Sequence, residues 1–198
     1  MQKTLHIFII SLVLILFALT IKAETAIKLN GVYACGGVLN PAVEIAVHKN
    51  FTVQLEGVGS FYQSISLGKK IKNMPLLLGL GFAEAHWFPK ESFKGFYCGP
   101  TIGYGLFKMQ KYNYWGSDKF QHGTALFLGA VIGYQWQVKK WTFDLFAGGG
   151  WIRSIYEGYE PDGNGNFQRY DIGTFPGKHN VSAEWLPFKG GLMIGYRL

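Results

Sequence analysis

The chain is 198 residues long, with 19 basic and 12 acidic side chains, a formal charge of +7, and a composition rich in glycine (27) and aromatics (17%). Its size is that of a single domain. Beyond the N-terminal region no apolar run is long enough to span a bilayer as a helix, which excludes a second helical span.

Lys3 supplies a short positive region, Ile7–Leu19 is an almost unbroken apolar run, and Thr20–Ala23 closes it on a small residue. The run is too short, and too closely followed by Lys22, for a spanning helix, and the pattern is that of a cleaved signal peptide. Residues 1–23 are therefore expected to be removed, leaving 24–198 as one exported domain. No Cys stands at the cleavage site, so lipoprotein processing is not indicated. Removal takes away Lys3 and Lys22 and no acid, which leaves 17 bases against 12 acids, a net +5. That modest excess suits the phosphates of lipopolysaccharide, and export makes nucleic acid an unexpected partner.

Period-two alternation runs through the remaining sequence, and no helical period competes with it. Eight strands are predicted. The first is Ala26–Cys35, with Lys28 and Asn30 opposite Ile27, Leu29 and Tyr33. The second is Pro41–His48, where Glu44, Ala46 and His48 alternate with Val43, Ile45 and Val47. Phe51–Tyr62 is the third, Leu76–Phe88 the fourth and Gly95–Met109 the fifth. The sixth, Ala125–Val138, carries the cleanest stripe, from Leu126 through Ile132 to Val138. Trp141–Tyr156 is the seventh and Leu186–Leu198 the eighth. Two irregularities are expected: a β-bulge near Gly79–Gly81, to reconcile Leu76, Leu78 and Leu80 with Glu84 and His86, and a second at Pro100, which has no N–H for a ladder.

Short connections at Lys49-Asn50, Pro89–Lys94 and Lys139-Lys140 alternate with the long loops Gln63–Pro75, Gln110–Gly123 and Glu157–Trp185. Gly36–Asn40 is the short exception. Alternating short turns and long loops is the pattern of outer-membrane barrels, with the short turns and both termini periplasmic. The last strand ends the chain on Leu192, Ile194, Tyr196 and Leu198, an apolar stripe that a closed barrel turns toward lipid. Cys35 and Cys98 then lie on opposite strands, too far apart for a disulfide, and are expected as free thiols.

The inward stripes collect Lys28, Glu44, His48, Glu56, Glu84, His86, Asp144, Lys189 and Arg197, read as an interior network of paired charges rather than an acid/base site. The long loops carry Lys69, Lys70, Lys72, Lys111, Trp115, Lys119, Arg169 and Lys178, a set of cations and aromatics suited to lipopolysaccharide or to an extracellular ligand. Asp162-Gly-Asn164-Gly-Asn166 has the density of a calcium loop but lacks its glycine and glutamate positions, and reads as a turn. No Cys/His spacing suggests zinc. No His-x-Ser element is present; His179-Asn-Val-Ser182 is the nearest approach to a Ser-His hydrolase. Neither catalysis, metal nor cofactor is expected.

Three segments resemble an uncharacterised, domain-of-unknown-function family of small bacterial outer-membrane barrels. A-I-K-L-N-G-V-Y-A from Ala26, followed by P-A-V-E-I-A-V-H-K-N from Pro41, is similar to its opening hairpin. A-E-A-H-W-F, Ala83 to Phe88, is similar to its E-A-R-Y-W segment, with His86 in place of Arg. I-G-Y-Q-W-Q-V-K-K-W, Ile132 to Trp141, resembles its G-Y-Q-W…K-R-W hairpin. The ending departs from the usual last-strand assembly signal at Met193, where Gly is common. The resemblance implies a location and a fold, and no activity.

The expected architecture is an all-β, eight-stranded, antiparallel up-and-down transmembrane barrel, inserted by the barrel-assembly machinery among outer-membrane lipid and lipopolysaccharide. Its expected role is structural or surface-interacting, with a lumen plugged by polar side chains. Two alternatives stand beside it: a lipid A-modifying enzyme, and a soluble lipocalin-like barrel that would turn the Leu126–Val138 stripe inward onto an apolar ligand.

Overall fold

A computed structural model describes residues 24–67, 71–110, 117–170 and 179–198. The strands are β1 (Thr25–Asn30), β2 (Pro41–His48), β3 (Phe51–Leu67), β4 (Ile71–Trp87), β5 (Gly95–Met109), β6 (Phe120–Val138), β7 (Trp141–Pro161), β8 (Phe167–Tyr170) and β9 (Asn180–Arg197), with one short helix, α1 (Gly31–Cys35). Every pairing is antiparallel. The sheet runs β1 to β7 in chain order, then passes to β9, which pairs back onto β1 from Ala26↔Arg197 to Asn30↔Met193. Eight strands thus close a ring. β8 lies outside it as a hairpin on the far end of β7, within the span 157–185 expected as a loop.

Closure leaves the alternating stripes with two distinct environments. Ile132, Tyr134, Val138, Leu145, Ile194 and Tyr196 are exposed on the outside, while Lys28, Glu44, Glu56, Glu84 and Asp144 are buried inside. We call the end with the short turns lower. Met193, at the departure from the assembly signal, faces inward and is buried in an apolar cluster with Ala42, Phe88, Tyr97, Val131 and Phe146.

Four expectations are corrected. The first strand stops at Asn30, not Cys35, because the Asn30 carboxamide oxygen accepts from the Val32 and Tyr33 N–H groups at 3.1 and 3.3 Å and caps α1. Cys35 therefore sits exposed on a helix; Cys98 is on β5, and both thiols are free. At Gly79–Gly81 there is no bulge: the β3–β4 register is continuous from Tyr62↔Leu76 to Phe51↔Trp87, so Leu76, Leu78 and Leu80 share the inward face with Glu84 and His86. Pro100 also stays in register with β6, and the β4–β5 ladder simply omits pairings between Glu84↔Thr101 and Trp87↔Cys98. A bulge does occur where β9 meets β7, between Gly148↔Lys189 and Gly149↔Pro187.

The wall is not uniform in height. β1 and β2 stop near Asn30 and Pro41, and above them the last link is a Leu39↔Gly59 bridge. β3 continues to Leu67 and β9 begins at Asn180, and among the described residues no ladder joins their upper edges. The opening spans three strand spacings, roughly 14 Å from β3 to β9. α1 and residues 36–40 fill its lower corner, tied to β3 by the Tyr62 hydroxyl donating to the Gly36 carbonyl at 3.1 Å.

Candidate functional site: a buried chain of charges

Inward positions on six strands converge in the lower half of the ring. Lys28 Nζ lies 2.7 Å from Asp144 Oδ2 and 2.5 Å from Glu44 Oε2. Glu44 Oε1 in turn faces His86 Nδ1 at 3.0 Å, and His86 Nε2 faces Glu84 Oε2 at 2.9 Å. Glu84 Oε1 is 2.6 Å from Lys189 Nζ, which also reaches Glu56 Oε2 at 2.5 Å. The result is one unbroken sequence: Asp144, Lys28, Glu44, His86, Glu84, Lys189, Glu56. Both His86 nitrogens face carboxylate oxygens, so both contacts are hydrogen bonds only when the ring carries two protons.

Neutral donors satisfy what the cations leave over. The Tyr97 hydroxyl donates to Asp144 Oδ1 at 2.8 Å, and Gln135 Nε2 to Glu44 Oε2 at 3.0 Å. Thr52 Oγ1 donates to Glu44 Oε1. Asn40 Nδ2 donates to Glu56 Oε1 at 2.9 Å, and Asn30 Nδ2 to Asn40 Oδ1 at 3.0 Å, which links the chain to the α1 cap. These partners were absent from the predicted set. Gln135 and Thr52 carried a signal, being polar residues on an inward stripe, whereas Asn40 lies in a connection and carried none.

Aromatic rings and glycines shape the space around these charges. His86 stacks on Tyr97 at 4.4 Å between centroids, and Lys189 Nζ lies 4.9 Å from the Phe82 centroid and 5.2 Å from that of Phe146. A Cβ at Gly148 would stand 2.8 Å from Lys189 Cγ, and one at Gly133 would stand 2.5 Å from the Tyr97 ring. Only glycine leaves room there for the lysine stem and the tyrosine ring.

Two residues of the predicted interior set stand apart. His48 is exposed: the register shift between Ala46 and His48 turns it outward, and its Nδ1 accepts the Asn50 N–H at 3.3 Å. Arg197 points inward but forms a separate group at the lower mouth, 2.5 Å from Glu24 Oε1 and 2.6 Å from Gln137 Oε1, with its guanidinium over the Phe93 ring.

At the upper end, Lys119 pairs with Glu160 at 2.8 Å and lies over the Tyr170 ring. Arg169 and His179 both pair with Glu157, at 3.1 and 3.0 Å, and the Tyr159 hydroxyl donates to the same carboxylate at 2.7 Å. That hydroxyl first, then Arg169 and His179, hold the Glu157 carboxyl below the usual carboxylate range. Asp162 Oδ1 accepts from the Asn164 and Asn166 N–H groups at 2.8 and 3.0 Å, closing the β7–β8 turn. Lys69, Lys70, Lys111, Trp115 and Lys178, and the side chain of Lys72, lie outside the described residues.

Among the described residues no group of three or more His, Cys, Asp or Glu side chains is arranged to hold a metal ion. Chemically, the buried chain engages each carboxylate with cations and neutral donors, which suits holding strands together. Comparison with known sequences and folds gives no match among curated proteins and none among solved structures. A family model described as a protein of unknown function (DUF3575) matches residues 7–185. The chain belongs to that family.

Proposed function

We propose that this chain is a bacterial outer-membrane β-barrel with a structural or surface-interaction role and no catalytic activity. The observation that carries the reading is a pair of aromatic belts on the outside of the ring. The lower belt includes Phe51, Trp87, Phe96, Tyr134, Trp141 and Tyr196, and the upper one Phe61, Tyr104, Trp151 and Trp185. Phe51 to Phe61 and Trp141 to Trp151 are each ten positions apart, and Trp185 to Tyr196 eleven. Ten residues of strand tilted by about 40° rise about 25 Å, the height of the apolar band of a transmembrane barrel. Aliphatic side chains fill the outer surface between the belts, including Leu55, Ile102, Ile132 and Leu145. A lipocalin-like barrel would carry these residues inside.

In this reading the short turns and both chain ends are periplasmic. The long loops meet lipopolysaccharide or an extracellular ligand, and the assembly machinery inserts the barrel after signal cleavage at Ala23. The buried chain of charges plugs the lower lumen. Membrane fractionation followed by a gel of unboiled and boiled samples tests the proposal. The expected result is recovery from the outer membrane with a mobility that changes on boiling. Recovery from the soluble periplasm without such a change would overturn it.

A further inference from the structure

At the lower end, exposed positive charge gathers on the short turns. Lys49 stands in the β2–β3 turn, Lys90 and Lys94 in the β4–β5 connection, and Lys139 and Lys140 in the β6–β7 turn, all of them exposed. Lys94 pairs with Glu91 at 2.7 Å, and Arg197 pairs with Glu24 beside the junction where β9 meets β1. Glu24 and Glu91 are the exposed acids of this end among the described residues. Among the described residues no carboxylate lies within ion-pair distance of Lys49, Lys90, Lys139 or Lys140. Lys119, Arg169 and His179 at the upper end are placed differently, each engaged by Glu160 or Glu157.

One of these lysines sits where the backbone favours another residue. Val138 pairs with Trp141, so Lys139 and Lys140 form a two-residue turn, and Lys139 has a φ of 58°. Asn or Gly is the usual occupant of that left-handed position. The lysines also sit directly below the lower aromatic belt. Lys49 is two positions from Phe51, Lys94 two from Phe96, Lys90 three from Trp87, and Lys140 adjoins Trp141. At about 3.3 Å per residue, each is within about 10 Å of chain from a belt ring. The headgroup layer beyond the hydrocarbon is about 5–8 Å deep, and a lysine stem spans the difference while its ammonium stays in water. Lys140 Nζ lies 5.6 Å from the centroid of Tyr196, another ring of that belt.

We infer that the turn lysines form a headgroup-binding rim that selects anionic phospholipids in the leaflet around the lower end of the barrel. The inference rests on the membrane reading proposed above and adds a ligand class to it. That class is a phospholipid with a net negative headgroup, as in phosphatidylglycerol, rather than a zwitterionic one. The spread of the charges argues for lipid. They occupy three turns spaced round the ring, so each meets a different molecule of the surrounding annulus, whereas a soluble polyanion is better met by one continuous patch. The attraction is Coulombic and acts within about one Debye length, so salt weakens it.

The test uses the whole protein reconstituted in dimyristoylphosphatidylcholine, with a trace of chain-spin-labelled phosphatidylglycerol or phosphatidylcholine. Electron spin resonance reads the motionally restricted fraction of each label, and hence their relative association with the protein. The wild type is expected to favour phosphatidylglycerol about threefold or more at low salt, with the preference reduced at molar salt. Lys49→Gln/Lys90→Gln/Lys139→Gln/Lys140→Gln should lose most of that preference, and Lys139→Gln/Lys140→Gln alone should lose part of it. Equal association of the two labels with the wild type, or a preference unchanged in both variants, overturns the inference and leaves the membrane reading standing. So does lysine-dependent binding to peptidoglycan without a lipid preference. Absence of a restricted component with either label overturns both.

Discussion

Along β4 the inward side chains run Leu76, Leu78, Leu80 and Phe82, then Glu84 and His86, so one strand face passes from apolar to ionic without a break in register. Below that boundary each buried charge has at least one partner of opposite sign. Above it the inward face carries apolar side chains packed around Phe82 and Phe127 together with Ser154, Ser182 and Glu184, and among the described residues no ladder joins the upper edges of β3 and β9. The lower half has the properties of a clamp whose strength lies in paired groups that cannot be removed singly. The upper half is held by packing among partly buried side chains, where loss of one removes contacts but strands no charge. The same eight strands therefore yield a part held by ion pairs and a part held by packing, and the switch is made by residue type alone.

The sharpest way to break this contrast is Lys189→Met, which leaves Glu56 and Glu84 without their shared cation in a closed interior. Removal of one partner from a buried ion pair costs about 3–5 kcal/mol, to be read as a lower urea midpoint for the folded barrel. If the fall is no larger than that of an outward Leu→Ala control, the lower half is not a clamp. Adding Glu84→Gln to that variant should restore part of the loss, because the two residues share one interaction.

A smaller effect is expected from Leu78→Ala in the upper half. A fully buried leucine truncated in this way costs about 2–5 kcal/mol, whereas partly buried Leu78 should cost about 1–2 kcal/mol. A loss equal to that of Lys189→Met would mean that the upper half depends on each side chain as strongly as the lower one.

The smallest effect should come from Glu157→Gln, six residues beyond Trp151 and outside the belts. Because the Tyr159 hydroxyl, the Arg169 guanidinium and the His179 imidazole hold the Glu157 carboxyl below its ordinary range, this group favours the folded state above the ordinary carboxylate pKa. That contribution disappears as pH falls through the lower folded value. The difference in thermal midpoint between wild type and variant should therefore close on acidification; a difference that widens would contradict the assignment.

Much of this architecture was legible in the alternation. The limits of the second strand, Pro41–His48, and of the fifth, Gly95–Met109, coincide with β2 and β5. Alternation separates two faces of a strand but does not say which polarity lies inside. The three inward leucines of β4 looked like an error in need of a bulge because the interior was assumed to be polar throughout. His48 was misplaced for the converse reason: a one-residue bulge leaves the polar-apolar pattern plausible while reversing the side on which it falls. The end of β1 was hidden because the Asn30 cap depends on Asn40 and on the Gly190 carbonyl, ten and 160 positions away. The inward charges could be collected from the stripes, but not their order along the chain, since Lys189 and Glu56 are 133 positions apart.

The bulge at Phe188 and Lys189 places two consecutive side chains inside the ring, one in each half of the interior. Odd-numbered residues of β9 face inward below it and even-numbered ones above it. β9 is in effect two strands of opposite phase spliced at a single residue. Deleting that residue would leave strand length almost unchanged, yet on whichever side of the splice slipped it would exchange interior for exterior, so this part of the wall tolerates substitution far better than a change in length.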